Sequence, residues 1–235
     1  MKKPVLEMTF DINILEHLGL RMYTSLPAVV AEFVANSWDA GATNVAVKVP
    51  KAQTVSPDYA VSIEDNGCGM TANEVNKKFL VVGRARREEE GTDKITVRGR
   101  ERTVIGRKGI GKLAGFGVAG EVEVTSRQQG QFVTFAMDYD AMKTAARKAE
   151  TKRVKAQYTP EVKAWGPTRE DDGTVVRLRR LKRVEIPDVD LMRRHLARRF
   201  SILGPSYNFE VSVNGAPITP AERARQEMSV HLADR

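Results

Sequence analysis

Apolar and polar residues alternate one by one in NVAVKV, from Asn44, and in YAVSIED, which ends at Asp65. A side-chain period of two turns one face of an extended chain toward a core, so both stretches predict strands. EVEVTS from Glu121, QFVTFAMD from Gln131 and GTVVRLRRL from Gly173 read the same way. A longer period marks SLPAVVAEFVANSWDAG as a helix, with Ser25 as its cap, Pro27 in its first turn and Gly41 beyond its end. DINILEHLG, closing near Gly19, TANEVNKKFLVVG and DVDLMRRHLARRFSIL also read as helical, and Thr71 and Glu74 have the spacing of a capping box. FEVSVNGAPIT predicts a hairpin turning at Asn214 and Gly215. Residues 141–172 show no clear period. Strands, helices and hairpins without steady strand-helix alternation predict an α+β fold: a two-layer sandwich, a mixed sheet with helices on one face.

The helix ending at Gly41 departs from a plain apolar face. Glu32, Asn36 and Asp39, at steps of four and three, project along one stripe, while Val30, Phe33 and Val34 lie off it and can hold the helix on the sheet. Three polar groups in line can meet one ligand or simply face water. After the strand ending at Asp65 comes DNGCGM, where Gly67 and Gly69 permit close backbone approach and the carboxylate can accept from an exocyclic amine or cap the turn.

Between Gly106 and Gly120 lies GRKGIGKLAGFGVAG. Glycines ahead of a helix let backbone amides converge on phosphate oxygens, with Lys108 and Lys112 adding positive potential. Gly106 to Lys112 fits G-x-x-x-x-G-K, but Leu113 stands where a P-loop needs a hydroxyl for Mg²⁺. Gly109, Gly111 and Ala114 fit a dinucleotide fingerprint that lacks its acidic residue about twenty positions on. A purely structural glycine-rich contact is the third reading.

Composition narrows the partners. The chain has 235 residues, enough for one large domain or a domain with a small appendage. A single cysteine, Cys68, excludes an internal disulfide, and His17, His195 and His231 have no zinc spacing. No stretch reaches the length of a membrane span and MKKPVLEMTFD has no apolar signal core, so a cytoplasmic protein is expected. The net charge of +8 and the basic runs within 177–199 invite a nucleic acid, although such runs are more often solvated faces.

Taken in order, E32-x-x-x-N36-x-x-D39-A40, D65-x-G67-x-G69, the segment Gly106 to Gly117 and D172-G173-T174 resemble the four ATP-binding boxes of the GHKL superfamily, over about residues 20–180. That superfamily includes gyrase B subunits, MutL, histidine kinases, MORC proteins and heat-shock chaperones with the Bergerat fold; IGRKGIGKLAGFG is most similar to the chaperone and MORC-like branch. The resemblance implies a mostly antiparallel Bergerat sheet, ATP and Mg²⁺ as ligands, slow ATP hydrolysis and ATP-dependent homodimerisation. It implies Glu32 as general base, Asn36 as Mg²⁺ ligand, Asp65 as acceptor from the adenine amino group, and Thr174 and Gly69 near the base. Ala40, Gly67 and Met70 belong to the same boxes, and Asp39 would support the helix end or the water network at adenine. Lys108, Gly109, Ile110, Gly111 and Lys112 would meet the phosphates.

The resemblance also divides the chain into an ATP-binding domain over 1–182, with an ATP lid at about 83–105 carrying Arg84, Arg86 and Arg87, and an extension over 183–235 that could begin a further domain. Hydrolysing relatives complete the phosphate site with a cation from the following domain, and no motif after residue 180 marks one. The alternative is an ATP-binding regulatory switch without significant turnover, associated with DNA. A phosphotransfer domain of the histidine-kinase type lacks a recognisable phosphoacceptor helix.

Overall fold

A computed structural model of the chain describes residues 2–10, 25–50, 60–82, 94–106, 111–152, 154–182, 188–219 and 221–222. The helix expected over 11–19, Arg84, Arg86 and Arg87 of the expected lid and residues Lys108 to Ile110 lie outside the described residues, and of Lys112 only the backbone is described. Strands β1 (Met8–Phe10), β2 (Asn44–Lys48), β3 (Ala60–Asp65), β4 (Lys94–Val97), β5 (Arg100–Thr103), β6 (Ala119–Gln128), β7 (Gln131–Asp138), β8 (Ala156–Tyr158), β9 (Glu161–Pro167), β10 (Gly173–Leu181), β11 (Glu210–Val213) and β12 (Ala216–Pro217) alternate with helices α1 (Leu26–Asp39), α2 (Tyr139–Lys152) and α3 (Val189–Arg199).

Eight strands form the main sheet, in the order β12-β11-β2-β3-β10-β6-β7-β9. Only β11 and β2 run parallel within it, so the sheet is mixed and mostly antiparallel, as expected. Cross-strand rows on its inner face are apolar: Val61, Leu178 and Val122 in one, Ile63, Val176 and Val124 in the next. Onto these rows α1 packs Val29, Val30, Phe33, Val34 and Trp38, all buried. Removing such side chains from water contributes roughly 1.5–3 kcal/mol each. The helix layer therefore has a fixed height above the sheet, and the polar stripe of α1 is left to its flank.

Of the chain past residue 182, the described residues 188–219 pack on this body. β11 adds beside β2, and Met192, Leu196 and Ala197 of α3 join the same core. Asn214 and Gly215 both adopt positive φ at the β11–β12 turn, the conformation that the asparagine-glycine pair predicts.

Three stretches differ from their sequence readings. The helix opened by the Thr71–Glu74 capping box ends at Phe79 rather than Gly83: Leu80 N donates to Val75 O in a wide π-type turn, Leu80 enters the core and Val81 bridges to Thr9. Residues 141–172 hold most of α2, with β8 and β9. Within the expected lid, residues 94–103 form the hairpin β4–β5, held against the C-terminal end of α1. No helix among the described residues is long and apolar enough to cross a membrane.

Candidate functional site

The inner face of the sheet carries one polar row. Thr174 on β10 lies directly between Asp65 on β3 and Ser126 on β6, so the three side chains share a face. This row sits at the strand ends, where the chain leaves β3 through Asn66 to Met70. Asp65 is only 8% exposed, yet each carboxylate oxygen has a partner: the Gly67 amide donates to Oδ1 at 2.9 Å and the Ser37 hydroxyl to Oδ2 at 2.9 Å. Burial pushes the Asp65 carboxyl up from its ordinary range, against the opposing pull of these donors. An acceptor is thus held in a mostly apolar setting, where a hydrogen bond to it is strong.

Neighbouring positions of α1 face two groups of residues. Ser37 reaches Asp65, whereas Asn36, one residue earlier and about 100° around the helix, faces the glycine segment. A Cβ placed on Gly111 would lie 3.1 Å from Glu32 Oε2 and 3.9 Å from the Asn36 amide atoms; on Gly106 it would lie 2.7 Å from Asp39 Oδ2 and 3.8 Å from Asn36 Oδ1. Gly106 and Gly111 therefore both lie beside the polar stripe. Asp39 secures the Gly106 end by accepting from the amides of Ile105 and Gly106, each at 2.9 Å. After Gly111 the chain forms a 3-10 helix to Gly117, pinned by buried Leu113, Ala114 and Phe116.

The glycines of DNGCGM stand close to the backbone of the protein itself. A Cβ on Gly69, whose φ is +61°, would lie 1.9 Å from Arg127 O, and one on Gly67 would lie 2.9 Å from Ala40 O. Both glycines let the turn close on its own protein neighbours. Ala40 adds its carbonyl as acceptor for the Cys68 amide, and the Met70 amide donates to Ser126 Oγ.

Several site residues carry no sequence signal. Ser37 is a buried serine on the apolar side of α1. Arg199, at the end of α3, pairs with Glu32 at 3.4 Å across 167 positions. Arg102 is buried over Trp38, 4.1 Å from the ring centroid, and donates to the carbonyls of Trp38 and Ala42, while Arg98 donates to those of Asn66 and Gly67. A sequence gives no direct sign of such long-range partners.

Two further features differ from these groups in charge. A groove of about 480 Å³ on the outer sheet face is lined by Glu64, Glu170, Asp171, Asp172 and Glu210 beside Arg127, a lining that repels phosphates. Several arginines of the basic runs within 177–199 are paired among the described residues. Arg177 and Arg179 pair with Glu123 on the outer face, Arg180 pairs with Asp138, and Arg193 and Arg199 of α3 pair with Glu222 and Glu32.

Residues 23–167 match the model of a family described as histidine kinase-, DNA gyrase B- and HSP90-like ATPases. Over 217 residues the chain is 33% identical to a protein of Herpetosiphon aurantiacus described as "Putative type II restriction enzyme HgiDII", covering 92% of this chain. The aligned chain spans about a third (33%) of that relative's length.

Proposed function

The chain belongs to the family of histidine kinase-, DNA gyrase B- and HSP90-like ATPases, and from that premise we propose that it binds Mg²⁺·ATP between α1 and the glycine segment and hydrolyses it slowly. The observation that carries this reading is the convergence of Glu32 and Asn36 on Gly106 and Gly111, with Asp65 buried one helix position away through Ser37. Asp65 accepts from the adenine amino group, and Thr174, its cross-strand neighbour, lines the same end of the cleft. Ala40, Gly67, Gly69 and Met70 shape the turn below the base, while Lys108, Gly109, Ile110, Gly111 and Lys112 face the phosphates. Glu32 takes the proton of the attacking water, a role for a carboxylate within hydrogen-bond reach.

The residues present fit a magnesium ion. Mg²⁺ in nucleotide sites takes most of its ligands from phosphate and water, so a single protein ligand suffices. Asn36 supplies its amide oxygen from the helix. The bound ion would neutralise charge developing on the phosphates.

Glu32→Ala tests the assignment. ATP affinity should stay within about threefold while turnover falls at least about a hundredfold; equal turnover in both proteins removes Glu32 from the chemistry. A second reading follows from the relative's printed name and greater length. In it, nucleotide-driven lid closure and dimerisation regulate work on DNA by parts of a longer protein, and turnover is incidental.

A further inference from the structure

We propose that Arg199 is the positioning residue of this site: its guanidinium holds the Glu32 carboxylate and offsets its charge, so that a triphosphate can be seated beside it. The inference rests on the ATP-binding reading of the cleft.

Glu32 divides its two oxygens. Oε1 lies 3.4 Å from Arg199 Nη2, while Oε2 is the atom nearest to the open side of Gly111. One oxygen is therefore occupied by a cation and the other points toward the segment assigned to the phosphates. Rotation away from Arg199 is restrained, because the Glu32 side chain is only 18% exposed. The backbone that carries Arg199 is fixed as well. α3 is anchored through buried Met192, Leu196 and Ala197, and the next residue, Phe200, is buried and donates its amide to Leu196 O.

Charge explains why such a residue is needed. A carboxylate beside a polyanion opposes its binding, and an opposite charge within a few ångströms removes much of that opposition. Among the described residues Arg199 makes the one ion pair to Glu32. The cation comes from the helix that leads into β11, so this part of the chain reaches the site directly. Sequence motifs gave no sign of it, because the contact depends on how α3 packs against α1.

Calorimetric titration with the β,γ-imido analogue of ATP and Mg²⁺ tests the proposal on five proteins: wild type, Arg199→Ala, Arg199→Lys, Glu32→Gln and the Glu32→Gln/Arg199→Ala double variant. Arg199→Ala should weaken analogue binding about three- to tenfold, a range reduced for the partial exposure of the arginine, and Arg199→Lys should recover most of it. Affinity for ADP, which lacks the terminal phosphate, should change less than about twofold. In the Glu32→Gln background the same alanine substitution should cost less than about twofold, since no carboxylate charge remains to offset. An equal loss in both backgrounds, or no loss in either, overturns the proposal. A wild-type chain that binds neither nucleotide overturns the reading beneath it as well, which separates the two failures.

Discussion

At the residue scale the most constrained group is Asp65. Its folded-state carboxyl is raised by burial, so the folded chain holds this proton more tightly than the unfolded chain. The associated stability is fully present below the ordinary carboxyl range, about pH 3.8, and is lost as pH rises through the folded value. Asp65→Asn removes that dependence without leaving a buried atom unpaired. The amide oxygen can accept from Gly67, and Ser37 can accept from the amide nitrogen while donating to Phe33 O, already 3.1 Å away. The variant should fold, show a flatter stability-pH curve above pH 4 and bind ATP at least about tenfold more weakly, the loss of a hydrogen bond to a charged acceptor. Unchanged affinity would remove Asp65 from base recognition. Glu32, Asn36 and Asp65 were legible because helical spacing and a strand end place them without further information. Ser37 and Arg199 were not, because burial and a contact 167 positions away are properties of the packed chain.

At the scale of elements, the β4–β5 hairpin clasps the end of the helix that carries the site. Trp38 Nε1 donates to Thr103 O, Arg102 donates to Trp38 O and Ala42 O, and Arg98 reaches the turn after Asp65. Through Asp39 the same clasp continues to Ile105 and Gly106, so the turn after Asp65 and the Gly106 end of the glycine segment share one support. Arg102→Ala should cost about 2–3 kcal/mol, from two buried carbonyls left without this donor and a lost ring contact, measured by chemical denaturation. A stability equal to wild type would show that the hairpin does not brace α1. Its charged sequence, KITVRGRERT, hid this role, because only Ile95 and Arg102 are buried. α2 was hidden for a related reason: its buried face consists of Met142, Ala146 and Ala149, too little apolar surface to stand out among lysines and glutamates. By contrast the capping box and the asparagine-glycine turn were legible, since both are settled by neighbours in sequence.

At the scale of the whole molecule, the sheet separates two electrostatic faces. Glu123 on the outer face is buried, which alone would raise its carboxyl, but Arg179 and Lys163 hold it below the usual range. Arg177 and Arg179 of β10 are both paired in this way. On the helix face lie two polar groups, the Asp65 row at one end and Glu32 with Asn36 at the other. That both ends belong to a single ligand is most directly tested by titrating the chain with the β,γ-imido analogue of ATP in a calorimeter, with Mg²⁺ and with chelator. Saturable binding at one site per chain, weakened at least about tenfold by removal of the metal, is the predicted result; no saturable heat with Mg²⁺ present would contradict it.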